Sequence, residues 1–257
     1  MSIPPRSPLP VEAKAVEIPL YAIGDLHGRH DLLVKLLGLI QADSESLGVD
    51  DFQLVFVGDY VDRGPASRQI IDHLIGLKAK GGDRVITLRG NHDQYMIEFV
   101  KSSSTGEVWM RYGGAATLTS YGVTPPRGAL DPAGWEALAA KFRAAVPDEH
   151  LNFIKAAPLK AKIGDYLFVH AGVRPGVAID AQDPRDLMSI RGDFLHVDHP
   201  APGATVVFGH TPAATPTISP GKIGIDTGGY ATGVLTALRL WRDRQDFIQT
   251  GQARPPG

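Results

Sequence analysis

The chain has no cysteine among its 257 residues. That absence excludes disulfide scaffolds, thiolate zinc sites, iron–sulfur clusters and cysteine nucleophiles together, so any metal must be held by oxygen and imidazole. It leaves the redox compartment open, because reducing and oxidising environments both tolerate it. An excess of one charge is also lacking: 26 Lys+Arg stand against 28 Asp+Glu, a formal net charge of −2. So even a balance excludes a strongly basic nucleic-acid binder and an acidic disordered tail. Long hydrophobic runs are missing too. Leu32–Ile40 is interrupted by Lys35 and Gly38, and nothing approaches the roughly 18 apolar residues of a membrane span. The opening MSIPPRSPLPVEAK holds no apolar core of an export signal. The expectation is a soluble cytoplasmic protein with no nucleic-acid or membrane partner.

What is present fits a globular domain. A 43% hydrophobic share can build a sizeable core. Residues 1–17 read as a flexible proline-rich arm and 251–257 as a tail, leaving one domain over 18–250. Ile18–Ile23, Leu54–Val57 and Arg84–Leu88 read as strands. Arg29–Ala42 and Ser67–Lys80 carry apolar residues at helical spacing between them. Such a βαβαβ run is parallel and right-handed. Trp109–Tyr121 and Trp135–Val146 look helical and form an insert near residues 95–150. Leu159–Ile163 and Tyr166–Val169 flank Gly164-Asp165, a two-residue hairpin signal. Thr205–Phe208, Lys222–Ile225 and Leu235–Leu240 continue the strand pattern. The fold class is α/β with mixed sheets and a helical insert.

Five strand ends finish alike, with a turn-forming residue and then groups suited to metal or phosphate. They are Gly24-Asp25-Leu26-His27-Gly28, Gly58-Asp59-Tyr60-Val61-Asp62-Arg63-Gly64, Gly90-Asn91-His92-Asp93, Val169-His170-Ala171-Gly172 and Gly209-His210-Thr211. In an open α/β sheet, ligands bind beyond the carboxyl ends of the strands, so strand polarity delivers all five to one edge. Asp25, His27, Asp59, Asn91, His170 and His210 supply two carboxylates, one carboxamide and three imidazoles. That donor set suits manganese first, with iron or zinc as alternatives, and suits calcium poorly. Six ligands are too many for one tetrahedral ion and enough for two ions sharing a carboxylate.

GDLHG, GDYVDRG, GNHD, HAG and GHT, in that order over about residues 20–235, resemble the signature of the PPP-type, calcineurin-like metallophosphoesterases. Bacterial members of that family include serine/threonine protein phosphatases and symmetrical diadenosine tetraphosphatases. The resemblance implies a sandwich of mixed β-sheets flanked by helices and a site with two divalent metal ions. It implies that Asp25 and His27 hold one metal, that Asp59 bridges, and that Asn91, His170 and His210 hold the second. His92 would be the general acid, Asp62 would orient it, and Arg63 would grip the phosphate. Arg191 matches, more loosely, the place of a second phosphate-binding arginine. Asp93 stands where the family more often has Glu. The implied reaction is direct in-line attack on phosphorus by hydroxide held at the metal pair, with no phosphoenzyme.

The motifs describe only the phosphoryl centre, so the substrate follows less directly. A phosphoprotein is the leading expectation, which makes the chain a serine/threonine protein phosphatase. A dinucleoside tetraphosphate or other nucleotide is the alternative, and an inactive phosphate-binding scaffold is a third reading. His30, His73 and His150 read as packing or capping residues, and His196 and His199 as loop residues able to reach the cleft. Asp226-Thr227-Gly228-Gly229 reads as a glycine turn, and Asp72 and Asp186 as solvated charges. Trp109, Arg111, Tyr112 and Tyr121 lie in the insert, where substrate selection would reside.

Overall fold

The computed structural model describes residues 16–251. The elements run β1 (Val16–Ile23), α1 (His30–Ser46), β2 (Gln53–Phe56), α2 (Ser67–Gly81), β3 (Val85–Thr87), α3 (Asn91–Lys101), α4 (Gly106–Arg111), α5 (Gly114–Ser120), α6 (Pro132–Ala145) and α7 (Asp148–Ala156). There follow β4 (Lys160–Ile163), β5 (Tyr166–Val169), α8 (Pro184–Ser189), α9 (Gly192–Leu195), β6 (Thr205–Phe208), β7 (Thr217–Ser219), β8 (Lys222–Gly224), α10 (Gly229–Thr232), β9 (Thr236–Arg242) and β10 (Arg244–Gln249). They make two five-stranded sheets, ordered β10-β9-β1-β2-β3 and β4-β5-β6-β8-β7. In the first sheet β1-β2-β3 run parallel to one edge and β9 and β10 add antiparallel strands on the other side; in the second, parallel β5-β6-β8 are flanked by antiparallel β4 and β7. No helix among the described residues is long and apolar enough to cross a membrane.

The alternation of side chains explains the layering. Leu20 and Ala22 on β1, Val55 and Val57 at β2, Tyr166 and Phe168 on β5, and Val207 on β6 meet in the cluster between the sheets. Their neighbours Tyr21, Ile23, Leu54 and Phe56 point the other way, into a core shared with α1, α2 and the insert. Leu167, Val169, Val206 and Phe208 pack outward against α8 and α9. Strand residues two apart share a face, so the central strands β1, β2, β5 and β6 are buried on both sides, which is why they are rich in apolar residues. The result is a helix–sheet–sheet–helix sandwich.

Several boundaries differ from the sequence expectation, each for a local reason. β1 starts at Val16, inside the expected arm, because Val16 pairs with Arg242 of β9. The remainder of the arm, and the expected tail beyond residue 251, lie outside the described residues. Trp109–Tyr121 is two helices rather than one: Gly113 has φ 103°, left-handed backbone that breaks the α-helical run between α4 and α5. The insert also begins earlier and ends later than 95–150, since α3 opens at Asn91 and α7 closes at Ala156. The Gly164-Asp165 hairpin is as expected, with Ile163 opposite Tyr166.

Candidate active site

All five motif loops leave the carboxyl ends of parallel strands: β1, β2 and β3 in one sheet, β5 and β6 in the other. The two sheet edges converge closely. A Cβ at Gly209, after β6 of one sheet, would lie 2.0 Å from Asp25 Oδ1, after β1 of the other, so the glycine there is required by close approach. His27, Asp59, Asp62, Arg63 and His210 all have positive φ, between 39° and 73°. Such backbone costs roughly 1–3 kcal/mol per residue outside glycine. Five strained residues among ten candidates mean that the fold holds these side chains in place at the expense of stability.

The buried centre is Asp59, 1% exposed. Its Oδ2 stands 3.6 Å from His27 Nε2, 3.3 Å from His170 Nε2 and 4.0 Å from His92 Nε2. Its Oδ1 accepts the His92 backbone N–H at 3.0 Å. Asp59 is thus common to two groups whose donor atoms lie within 4.8 Å of one another, one with His27 and His92 and one with His170 and His210. Asp25 adjoins the first, its Oδ2 3.9 Å from His27 Nε2, and its carboxylate accepts the His210 backbone N–H. Asn91 adjoins the second, its Oδ1 3.1 Å from His170 Nε2.

The histidine tautomers suit cation binding. His27 Nδ1 lies 2.9 Å from the Val61 carbonyl and His170 Nδ1 lies 3.0 Å from the Val57 carbonyl. A carbonyl only accepts, so each Nδ1 carries the hydrogen and each Nε2 faces the centre, the usual arrangement of metal-ligating histidines. His210 Nε2 is buried with no hydrogen-bond partner among the described residues. Burial, and then the neighbouring charges of His92 and Arg63 for one and of His170 for the other, hold His27 and His210 down at about 3. Both are therefore neutral near pH 7 and available as ligands.

The carboxylates carry the complementary signal. Burial, then the charge of Asp226, pushes Asp25 well above the usual carboxylate range. Burial alone would raise Asp59 as well, but the charges of His170, His92 and His27 hold it well below that range. Burial works against a charge on His170, yet the Asp59 carboxylate outweighs it and pushes the ring up to about 9. Buried carboxylates in this number need cationic partners, and a field that draws a proton onto His170 draws a divalent cation in competition with it. The donor set fits two such ions.

The groups expected to handle phosphate stand beside this centre. The Arg63 guanidinium donates to Nε2 of both His27 and His92, at 3.0 Å each, and lies 4.5 Å from the Tyr230 ring centre. His92 Nδ1 donates to Asp62 Oδ2 at 2.7 Å. Asp62 is fully buried and also accepts from Trp109 Nε1, at 3.0 and 3.1 Å, and from Thr117 Oγ1 at 2.7 Å. Burial raises the Asp62 carboxyl, and the bonds from His92, Thr117 and Trp109 oppose that shift. Arg191 is exposed and donates to Thr211 Oγ1 at 3.1 Å, next to His210. All ten candidate side chains thus stand at one edge of the sandwich.

Other residues acquire roles that no local pattern announced. The Asp93 carboxylate accepts the backbone N–H of Asp59, Tyr60 and Gly90, at 2.8, 2.9 and 2.9 Å, and so clamps two motif loops together. Trp109, expected in the core or at the substrate, is a buried support of Asp62. Arg111 pairs with Glu107 on its own helix. Asp226 does form the expected turn, accepting the Gly228 N–H at 2.8 Å, and is also buried beside Asp25. Asp186 is not merely solvated, since Arg174 donates to it at 2.6 and 2.8 Å. Asp72 likewise bonds His150, at 2.9 Å. His199 abuts Gly221, at the end of β8 opposite the site, and does not reach the cleft.

Known proteins share this arrangement. The profile of the calcineurin-like phosphoesterase family matches residues 18–223. A bis(5'-nucleosyl)-tetraphosphatase PrpE [asymmetrical] of Anoxybacillus flavithermus is 28% identical over 235 residues, covering 84% of this chain and 88% of its own. A provisionally named serine/threonine-protein phosphatase of Caenorhabditis elegans is 39% identical over 77 residues, covering 30% of this chain and 20% of its own. Among solved structures, one provisionally titled a diadenosine tetraphosphatase shares the fold with a TM-score of 0.59 at 20% identity, over 92% of this chain and 95% of that one. The chain belongs to the calcineurin-like phosphoesterase family and is a metal-dependent phosphoester hydrolase.

Proposed function

We propose that the chain hydrolyses dinucleoside polyphosphates, cleaving the tetraphosphate bridge between two nucleosides. The observation that carries this reading is the span of the similarity. The bacterial tetraphosphatase matches along 84% of the chain, whereas the protein phosphatase matches along 30%. The motifs describe only the phosphoryl centre, and a phosphoprotein is the leading expectation from sequence; the relatives support the nucleotide alternative instead.

Asp25, His27, Asp59, Asn91, His170 and His210 would hold two divalent ions, with Asp59 shared, and their oxygen and imidazole donors suit manganese. When bound, such ions supply positive charge to the phosphoryl oxygens and acidify the attacking water. The chain's own groups do the rest. Arg63, on the rim between His27 and His92, grips the non-bridging oxygens through its two N–H edges, and Arg191 adds a second positive charge. When Arg63 turns from His92 Nε2 to the phosphate, Nε2 is free to take up a proton and give it to the leaving oxygen, while Asp62 fixes the ring through Nδ1.

Protein loaded with manganese and assayed side by side against dinucleoside tetraphosphate, a phosphopeptide panel and p-nitrophenyl phosphate tests the reading. The dinucleotide is expected to lead in kcat/KM by at least about tenfold, roughly 1.4 kcal/mol of transition-state binding. A phosphopeptide leading by that margin would restore the protein phosphatase reading.

A further inference from the structure

Beside the phosphate grip lies an aromatic pair that the phosphoryl chemistry leaves unused. Tyr95, one helical turn after His92 on α3, stacks on Tyr112 with ring centres 5.2 Å apart and planes within 8°. Tyr112 is 45% exposed, and its ring stands edge-on to His92 with centres 5.9 Å apart. Tyr112 is also registered against the site rather than carried on a free loop. The carbonyl of the next residue, Gly113, accepts the Arg63 backbone N–H at 3.2 Å. A Cβ at Gly113, besides needing φ 103°, would stand 3.0 Å from Arg63 Cγ and N. The ring is therefore held beside the acid, backed by a second ring, on a residue 45% exposed to solvent.

We propose that Tyr112, supported by Tyr95, is the platform on which the nucleobase of the departing nucleotide stacks. This rests on the dinucleoside polyphosphate reading above. Every base has a π-face, and an exposed offset-stacked tyrosine extends naturally by one more ring. The side follows from His92. The acid faces the leaving oxygen, so a ring near it stands on the side where one phosphate and one ribose lead from that oxygen to a base. A nucleoside monophosphate places its base there, whereas an extended nucleoside triphosphate carries its base well past it. Water oxygen then joins the second phosphorus of the bridge, and the bond from that phosphorus to the first bridging oxygen breaks. The electron pair stays on the bridging oxygen, which takes the proton from His92 and leaves as nucleoside monophosphate. The other product is the nucleoside triphosphate, and the proton lost by water passes to solvent.

Tyr112→Ala and Tyr112→Trp, compared with the unaltered protein, test this in three ways. The ratio of kcat/KM for dinucleoside tetraphosphate to that for p-nitrophenyl phosphate is expected to fall at least about tenfold in Tyr112→Ala, mainly through KM, and to recover in Tyr112→Trp. Quenching of ethenoadenosine monophosphate fluorescence on binding is expected in the unaltered protein and in Tyr112→Trp, and to disappear in Tyr112→Ala. In ¹⁸O-water the label is expected in the triphosphate product. A ratio and a quench that Tyr112→Ala leaves alone, in a protein that does cleave the dinucleotide, would overturn the platform and leave the activity standing. Label in the monophosphate would overturn the assignment to the departing side. An unaltered protein that prefers phosphopeptides removes the activity, and the platform falls with it.

Discussion

Asp59→Asn is expected to abolish turnover, by at least about a thousandfold or roughly 4 kcal/mol of transition-state stabilisation, and to weaken metal retention. The change is nearly isosteric, and the amide oxygen can still accept the His92 N–H that Oδ1 accepts at 3.0 Å. What disappears is the negative charge. Three imidazole nitrogens lie within 4.0 Å of Oδ2, and the residue is common to both ligand groups. An amide shared between two cations cannot offset their mutual repulsion, so both sites lose affinity. Activity against p-nitrophenyl phosphate and metal content after desalting check the two halves. Near-normal turnover with two ions retained would show that Asp59 is not the bridge.

His92→Asn has a different signature. It should lower kcat toward dinucleoside tetraphosphate by about 10²–10⁴, the range of a lost general acid, while metal content stays at the unaltered level. The loss should shrink to under about tenfold with p-nitrophenyl phosphate, whose leaving group departs without a proton. This dependence on the leaving group separates proton donation from mere positioning. It also decides a question the distances leave competing, because His92 Nε2 falls in one ligand group with His27 and Asp59. Its Nδ1–H to Asp62 at 2.7 Å fixes the ring with Nε2 toward the rim, and Nε2 can carry a proton once the Arg63 donor, 3.0 Å away, turns from it to the phosphate. Loss of one metal ion from His92→Asn would make it a ligand instead.

How much of this could be read from residues alone depended on how local each signal was. Glycine followed by Asp or His at the end of an apolar run reports a strand, its polarity and a ligand in one short motif. For that reason β1, β2, β3, β5 and β6 and their site residues were legible. The burial of the central strands on both faces was visible as short apolar runs such as Tyr166–Val169 and Thr205–Phe208. Less local features were not. Gly113-Gly114 inside a helical pattern did not reveal that Gly113 would turn left-handed against Arg63. Asp93 looked like a tolerated variant, yet its three backbone bonds tie the Asp59 loop to the start of α3. Trp109 looked like core or substrate surface, and only the folded insert brings its indole N–H to Asp62, 47 residues away. Tyr230 escaped notice because an aromatic residue after a glycine turn has no signature of its own. It meets Arg63 through α10, in the connection that carries the chain from β8 to β9.

The even charge balance now has a sharper meaning. With a net charge of −2, no global field gathers a polyanionic substrate. Attraction must be local, from Arg63, Arg191 and the cations that the buried carboxylates invite. The central claim is therefore that one buried aspartate unites two metal sites at this sheet edge. Crystals grown with manganese and measured at an anomalous wavelength test it most directly. The account predicts two peaks about 3.5–4 Å apart, with Asp59 between them, Asp25 and His27 on one side, and Asn91, His170 and His210 on the other. A single peak, or a pair not bridged by Asp59, would contradict it.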